Sequence, residues 1–348
     1  MIEKYQKPAE LYDGLRLHQN ENTGGCSPVV LQALAGLTAE QVGFYPPYEA
    51  ATRACAEYLG VDPDRLTLVN GLDEAIMAVA TSYLRPRPGL PLAEAIVPEP
   101  AFEIFAYDTE VVGGRAVRVE PQRDHAFPLE RVLDEITPNT RVVFITNPNN
   151  PTGVLTPLAA IRTVAARVPP GAIVFVDEAY AEFSGISIIP ELAQLPNVIV
   201  GRTFSKAFGL AGLRIGAITG HQDALEPIRH VVPVYSVNVA AVVAVQAALR
   251  DREYVERYRA EVETSKALLY AACERLGLRY WKSAANFVLV DAGDRAERLA
   301  HGAAARGIYL RDRSKEPGLE GCVRVGTGIV AHTERCIRVF EEVLCGVE

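Results

Sequence analysis

The chain has 348 residues, of which 49% are hydrophobic, and a formal net charge of -8 at pH 7. This length and composition allow a large buried core and predict two lobes or domains. Acidic and basic residues are mixed along the chain without a basic stripe, which disfavours nucleic-acid binding. The first residues lack the apolar core of a signal peptide, and no segment is long and apolar enough to span a bilayer. We therefore expect a cytoplasmic protein with no membrane contact.

Near the N-terminus, the segment LRLHQNENTGGCSP begins at Leu15 and is rich in turn-forming residues. It precedes the predicted sheet. We interpret residues 1–30 as an N-terminal arm that packs back onto one of the two domains.

Between residues 66 and 220, short apolar runs alternate with helix-like segments. The apolar runs include RLTLVN, AEAIVPEP, RVVFITNP, AIVFVDEAY and NVIVGRTFSK, and the helix-like segments include GLDEAIMAVATSYL and LAAIRTVAARV. This alternation is typical of a mostly parallel sheet covered by helices on both faces. The sequence therefore predicts an α/β fold, with a large domain over residues 31–235.

The pattern changes after residue 235. Long helix-like stretches come first, and the strand-like runs NFVLVDA and VRVGTG follow them. This order predicts a smaller α+β C-terminal domain over residues 236–348. The six cysteines are scattered over the whole chain without a C-x-x-C pair, so we expect reduced thiols and no bound metal.

Several predicted strands end in a polar or turn-forming residue, namely Asn70, Asn147, Asp177 and Thr203. In an open α/β sheet the carboxyl ends of the strands border the ligand crevice. We expect the functional site to assemble there.

Lys206 lies in TFSKAFGLAGLRIG, just after an apolar run and between Ser205 and Ala207. A lone lysine is ordinarily a solvated surface charge. A lysine in a partly desolvated crevice instead has a lowered pKa, is available as a free amine and can form an imine with a carbonyl compound. Arg214 follows in a glycine-rich turn, where its guanidinium can grip a phosphate with a fork of donors.

Asp177 ends the apolar run of VFVDEAY. The structural alternative is a helix N-cap, which an aspartate at a strand-to-helix turn serves well. A buried carboxylate otherwise needs a cationic partner, and the protonated ring nitrogen of pyridoxal phosphate would be one. Tyr180 could donate to a ring oxygen, or could be a core tyrosine whose hydroxyl reaches solvent.

Two loops could complete such a site. ITNPNNPTG is rich in proline and asparagine, so it is either a plain turn or a rigid polar loop that presents Asn150 to a ring substituent. VNGLDEAI begins a helix after a tight turn, and the free N–H groups near Gly71, Leu72 and Asp73 could cradle a phosphate. A capped helix with acidic residues in its first turn is the structural alternative for VNGLDEAI.

Taken together, NPNNPTG, DEAY and SKAFGLAGLRIG resemble the fold type I pyridoxal-phosphate aminotransferases, and within them the histidinol-phosphate aminotransferase branch. The resemblance extends from LHQNEN near residue 17 to CVRVGTG, which ends at residue 328. The run GIYLRDRSKEPGLEGCVRV is similar to that branch in particular. The implied fold has a large cofactor-binding domain and a smaller α+β C-terminal domain.

The resemblance implies pyridoxal 5'-phosphate as the cofactor and a role for each matching position. Lys206 would form the Schiff base and then act as the general base. Asp177 would pair with the pyridinium nitrogen, and Asn150 and Tyr180 would hydrogen-bond the phenolic oxygen of the ring. The cofactor phosphate would be held by Gly71, Leu72, Asp73, Thr203, Ser205 and Arg214.

Two aromatic residues also match positions in the family. Phe102, in PEPAFEIF, matches the aromatic residue that stacks on the cofactor ring, and its structural alternative is a core phenylalanine. Tyr45, in GFYPPYEA, matches the tyrosine that reaches the cofactor phosphate of the neighbouring subunit. The resemblance therefore implies a homodimer with shared active sites.

The substrate site is implied by two arginines and an asparagine. Arg324 matches the arginine that takes the α-carboxylate of glutamate, and Arg311 would help to bind the other anionic end. Asn22, in the NEN motif, is expected at the same site. A surface salt bridge is the structural alternative for Arg311 and Arg313.

The chain departs from the branch near the substrate entrance. It has NENTGGCSP where the branch has NENP with an aromatic residue and glycine, and YPPYEA where the branch has Tyr-Pro-Asp/Glu-Pro. The implied reaction is reversible transamination between histidinol phosphate and 2-oxoglutarate. Two alternatives stay open, an aromatic amino acid aminotransferase and a pyridoxal-phosphate decarboxylase of the phosphothreonine type.

Overall fold

The computed structural model of the chain describes residues 13–122 and 124–346. Residues 1–12 of the predicted N-terminal arm and residues 347–348 of the predicted C-terminal domain lie outside this description. The helices are α1 (Pro28–Ala35), α2 (Ala39–Gly43), α3 (Glu49–Leu59), α4 (Gly71–Tyr83), α5 (Ile104–Val111), α6 (Leu129–Asp134), α7 (Leu158–Arg167), α8 (Ala181–Ser184), α9 (Gln222–Arg229), α10 (Val239–Arg250), α11 (Arg252–Arg275), α12 (Ala296–Ala304) and α13 (Val330–Cys345). The strands are β1 (Leu15–Arg16), β2 (Leu66–Val69), β3 (Glu94–Pro98), β4 (Arg115–Val119), β5 (Thr140–Thr146), β6 (Ile173–Asp177), β7 (Val198–Thr203), β8 (Gly216–Gly220), β9 (Arg279–Tyr280), β10 (Phe287–Asp291), β11 (Ile308–Tyr309), β12 (Arg311–Asp312) and β13 (Cys322–Gly326).

The large sheet has seven strands in the order β2-β8-β7-β6-β5-β3-β4. β8 runs antiparallel to both of its neighbours, and the other adjacent pairs are parallel. The predicted α/β fold with a mostly parallel sheet is therefore confirmed. Thr146 lies opposite Asp177, and Asp177 lies opposite Gly201, so the carboxyl ends of β5, β6 and β7 meet at one edge.

The central strands form because both of their faces are covered. β6 and β7 are buried along their whole length, which explains their continuous apolar runs. On one face, Phe144 of β5 stacks on Phe105 of α5 with ring centroids 4.7 Å apart. On the other face, Val174 and Val176 pack in a core that includes Ile161 of α7. This packing fixes the strand ends that carry the polar residues.

The smaller sheet is antiparallel, with the order β12-β13-β10-β9. Part of α11 packs on it together with α12 and α13. By contrast, α10 packs against α1 and α3, and Val262 of α11 belongs to the same core as the large sheet. The proposed division of the chain after residue 235 stays a prediction.

The described part of the N-terminal arm contacts both sheets. β1 pairs in parallel with β11, and the Gly326 amide of β13 donates to the Leu17 carbonyl at 2.7 Å. The following residues run across the carboxyl edge of the large sheet, where Gln19 meets Lys206. In the described ranges, no helix is long and apolar enough to cross a membrane.

Candidate active site

A cavity of about 630 Å³ opens at the carboxyl edge of the large sheet. Thr146, Asp177 and Thr203, which end β5, β6 and β7, lie in its wall. The N-terminal arm and the small sheet close the other side. Most of the predicted site residues line this cavity, namely Leu72, Asp73, Phe102, Asn150, Asp177, Tyr180, Thr203, Ser205, Lys206, Arg214, Arg311 and Arg324.

Three predicted site residues lie outside this lining. Gly71 is immediately behind it, against the Arg214 guanidinium. Asn22 donates through Nδ2 to the Ala207 carbonyl at 3.0 Å, so its amide anchors the arm to the segment that carries Lys206. Tyr45 is 75% exposed and stacks on Tyr235 with ring centroids 4.2 Å apart.

Lys206 reaches the cavity from the turn that follows β7. Its Nζ donates to the Gln19 carbonyl at 2.9 Å and lies 5.9 Å from the centre of the Tyr180 ring. Burial, with a further contribution from the Arg324 charge, lowers the pKa of Lys206 to about 8. An amine with this pKa is partly uncharged near neutral pH, so it can act as a nucleophile and as a base.

Asp177 is a carboxylate with little exposure to water. It is 4% exposed, and its Oδ1 accepts from the Ala179 amide at 2.9 Å. The nearest helix begins only at Ala181 and has Tyr180 as its N-cap, so Asp177 does not cap it. Burial raises the pKa of Asp177 to about 7. A cation bound beside this group would restore the ionised form.

Two hydrogen bonds orient the polar groups that could contact a planar ring. Arg324 Nη1 donates to Asn150 Oδ1 at 2.5 Å, which leaves the Nδ2 group of Asn150 as its donor. Asn20 Nδ2 donates to Tyr180 Oη at 3.0 Å. Tyr180 is also held by the buried Phe287 ring, whose centroid lies 5.1 Å away.

The start of α4 and Arg214 form a cradle of donors at one end of the cavity. Gly71 has φ +76 and Arg214 has φ +56, and Arg214 Nη2 donates to Asp73 Oδ2 at 3.0 Å. A Cβ on Gly71 would lie 2.3 Å from Arg214 Nη2, so only glycine leaves room for the guanidinium. Helix N–H groups, hydroxyls and a guanidinium together fit a phosphate.

The opposite end of the cavity is rich in arginine. Arg324 is buried on β13, and its Nη2 donates to the His18 carbonyl at 2.6 Å. Arg311 and Arg313 both pair with Glu103, at 3.6 and 3.2 Å. Arg313 is only 5% exposed, so it is not a surface salt-bridge residue. This end is suited to anionic groups.

A profile of the family "Aminotransferase class I and II" matches residues 12–340. The chain belongs to this family. Among its aminotransferase relatives are "Histidinol-phosphate aminotransferase" of Symbiobacterium thermophilum, 36% identical over 99% of this chain and 94% of the relative, and that of Moorella thermoacetica, 34% identical over 99% and 89%. A solved structure of histidinol-phosphate aminotransferase from Sinorhizobium meliloti, in complex with pyridoxal-5'-phosphate, superposes with a TM-score of 0.87. That protein is 26% identical, over 97% of this chain and 92% of its own.

Sequence reasoning missed several residues in the wall of this aminotransferase site. These are His18, Gln19 and Asn20 of the arm, together with Thr146, Ala179 and Arg313. The arm residues lie in LHQNEN, a polar stretch that marks a loop but does not reveal what the loop contacts. Thr146 Oγ1 is buried and has no hydrogen-bond partner among the described residues, which makes it available to a ligand.

Proposed function

We propose that this protein is a pyridoxal-phosphate-dependent aminotransferase that moves an amino group between histidinol phosphate and 2-oxoglutarate, in histidine biosynthesis. The observation that carries the proposal is one cavity that combines the buried amine of Lys206 with three arginines, Arg311, Arg313 and Arg324. Relatives named histidinol-phosphate aminotransferase, at 34% and 36% identity over 99% of the chain, support the choice of substrate.

The residues of the cavity fit pyridoxal phosphate. When bound, this cofactor supplies an electron sink for negative charge that develops on the substrate carbon. Asp177 and Phe102 line the cavity, where Asp177 would pair with a protonated ring nitrogen and Phe102 would stack on the cofactor. Asn150 Nδ2 and the Tyr180 hydroxyl would donate to the phenolic oxygen. The phosphate cradle would be formed by Gly71, Leu72, Asp73, Thr203, Ser205 and Arg214.

Lys206 is the residue that moves the proton. Its Nζ would take a proton from the substrate carbon that bears nitrogen and return it at a different atom; conversion to the carbonyl compound also needs water and the cofactor, which would keep the amino group. The pKa of about 8 suits this role because an efficient general base titrates near the operating pH. Its neighbours Tyr180 and Gln19 orient the amine toward the cavity.

The arginines provide sites for substrates with anionic groups. The buried guanidinium of Arg324 is fixed by Asn150 and by the His18 carbonyl, and it would bind the α-carboxylate of glutamate. Arg311 and Arg313 both pair with Glu103, Arg313 also pairs with Glu316, and the two arginines would accept the second anionic group. In histidinol phosphate this group is a phosphate, and in glutamate it is the side-chain carboxylate.

The proposal includes a cytoplasmic homodimer. Val42, Phe44, Tyr45, Val234 and Tyr235 are exposed apolar residues, and the Tyr45–Tyr235 stack joins their two segments into one surface, which we term the aromatic patch. Large exposed apolar patches mark interaction surfaces. We propose that a second copy covers the patch and that Tyr45 reaches the cofactor phosphate of that copy.

A coupled assay tests the substrate assignment. The purified protein with pyridoxal phosphate is given 2-oxoglutarate and one donor at a time, and the glutamate formed is measured. We expect histidinol phosphate to have the highest kcat/KM. Preference for phenylalanine or tyrosine would favour the aromatic alternative. If none of these donors yields glutamate and phosphothreonine loses CO2, the decarboxylase alternative replaces the proposal.

A further inference from the structure

The segment His18–Asn20 contacts three polar groups of the cavity at once. The His18 carbonyl accepts from Arg324 Nη2, and the Gln19 carbonyl accepts from Lys206 Nζ. These two contacts use the backbone, which any residue supplies. The third contact differs, because it is made by the side chain of Asn20, whose Nδ2 donates to Tyr180 Oη at 3.0 Å. The identity of residue 20 therefore matters to Tyr180.

Asn20 is held rigidly in this position. It is 2% exposed, and its backbone is left-handed with φ +55, a conformation that asparagine and aspartate adopt more readily than most residues. Asn286, just before β10, donates through Nδ2 to the Asn20 carbonyl at 3.1 Å. The hydrogen bond from Asn286 thus holds the backbone of residue 20 in place beside Tyr180.

We propose that Asn20 is a positioning residue that sets the direction in which the Tyr180 hydroxyl donates. An amide N–H can only donate, so Tyr180 Oη must accept from it, and the hydroxyl proton is left to point into the cavity. Asn150 is oriented in the same way, because Arg324 occupies its Oδ1. Two side chains therefore present donors to the place where an ionised phenolic oxygen would lie. This inference rests on the proposed binding of pyridoxal phosphate.

The other charged groups around Tyr180 come from three parts of the fold. Asp177 ends β6, Lys206 follows β7, and Arg313 and Arg324 come from the small sheet and its edge. Burial raises the pKa of Tyr180, so its hydroxyl stays protonated and can donate. These groups stay the same in variants of residue 20, but Asn20→Asp adds a charge of its own, so a Tyr180→Phe background is needed to separate that charge from the hydrogen bond.

The test compares Asn20→Asp with Asn20→Gly. Aspartate keeps the shape and the left-handed backbone but replaces the donor by an acceptor, so the Tyr180 hydroxyl turns toward the carboxylate. Glycine keeps the backbone and removes the side chain, and Tyr180 remains able to donate to the cofactor. The readouts are the pKa of the visible absorption band of bound pyridoxal phosphate and the dissociation constant of the cofactor.

We expect Asn20→Asp to raise the pKa of that band by about one unit and to weaken cofactor binding about tenfold, because the ionised oxygen loses a donor. We expect Asn20→Gly to change each quantity by less than half as much on the logarithmic scale. In a Tyr180→Phe background the effect of Asn20→Asp on this pKa should fall to the part that the new carboxylate charge produces directly, because the part that acts through Tyr180 is removed.

Two results would overturn the role of Asn20. The first is an absorption pKa for Asn20→Asp equal to that of the wild type, and the second is a larger shift for Asn20→Gly than for Asn20→Asp, as a purely structural role would produce. If the wild-type protein gave no visible band with pyridoxal phosphate, both this inference and the proposed function would fail. A normal wild-type band with an unaffected Asn20→Asp variant would refute this inference alone.

Discussion

At the scale of single residues, burial sets the charge of the groups that would carry the reaction. It lowers the pKa of Lys206 to about 8 and raises that of Asp177 to about 7. Both side chains therefore titrate near neutral pH, although free lysine and free aspartate titrate several units apart. A cationic ring nitrogen beside Asp177 would stabilise its charge, whereas Lys206 stays poised to lose its proton. In the same cavity, Asp177 is thus suited to bind a cation and Lys206 is suited to act as a base.

The lowered pKa of Lys206 predicts how cofactor capture depends on pH. Only the uncharged amine attacks a carbonyl, so capture should accelerate as the pH rises through the pKa of Lys206. We expect the rate at which the cofactor-free protein develops its visible band with pyridoxal phosphate to rise with a midpoint near pH 8, below the ordinary lysine value of 10.5. A midpoint near the ordinary value would show that burial does not control this amine. Lys206→Ala should develop no such band.

At the scale of the elements, local pattern and long-range contact account for different parts of the structure. β5, β6 and β7 could be predicted because each is buried on both faces and therefore reads as a continuous apolar run. The polar residues at their ends could be assigned to the crevice because the carboxyl ends of strands border the ligand site in an open α/β sheet. The resemblance to known aminotransferases extended the prediction of site residues to positions whose local sequence pattern is ambiguous, such as Phe102.

The contacts of the arm could not be predicted in this way. Gln19 meets Lys206 across 187 residues of chain, and no local pattern encodes that pairing. Arg313 was open to interpretation as a surface residue because YLRDRS is highly polar. It is buried because it immediately follows β12, at the edge of the small sheet that faces the cavity.

The ends of β6 and β7 are joined by a buried ion pair that predicts a stability effect. Arg202 of β7 lies between Glu178, at 3.3 Å, and Glu182 of α8. Arg202→Met would leave two buried carboxylates without their partner, and we expect it to lower the free energy of unfolding by about 3 kcal/mol or more. The measurement is urea denaturation of the cofactor-free protein.

An exposed pair provides the matched control for Arg202. Arg162 pairs with Glu191 at 2.9 Å on the surface, and Arg162→Met should cost less than about 1 kcal/mol. Arg202 and Glu178 are each adjacent to a strand-end residue of the cavity, Thr203 and Asp177 respectively, so only Arg202→Met should also weaken cofactor binding. Equal losses of stability in the two variants would contradict a special role for the buried pair.

At the scale of the whole molecule, the site lies where several separate parts of the chain meet. The large sheet supplies Asp177 and Lys206, the small sheet supplies Arg324, and the arm lies across both. The proposed substrate arginines and the proposed cofactor site are thus carried by different sheets. The arm links the two, because its backbone carbonyls accept hydrogen bonds from both Lys206 and Arg324.

The proposed dimer predicts the effect of a charge in the aromatic patch. Phe44→Asp would place a carboxylate in an interface that excludes water, and we expect a monomer by sedimentation analysis. If Tyr45 serves the neighbouring subunit, this monomer should also bind pyridoxal phosphate more weakly. Leu90→Asp, at an exposed leucine in the loop between α4 and β3, is the control and should leave the assembly unchanged. A wild-type protein that is monomeric at the same concentration would contradict the dimer.

We propose that this cavity takes the amino group of histidinol phosphate onto its cofactor. The most direct test is the absorption spectrum of the pyridoxal-phosphate-loaded protein after one equivalent of histidinol phosphate is added without 2-oxoglutarate. We predict that the visible band is lost in a single turnover, and that added 2-oxoglutarate restores it with an equal amount of glutamate. A band that does not change with histidinol phosphate, but changes with phenylalanine or phosphothreonine, would contradict the claim.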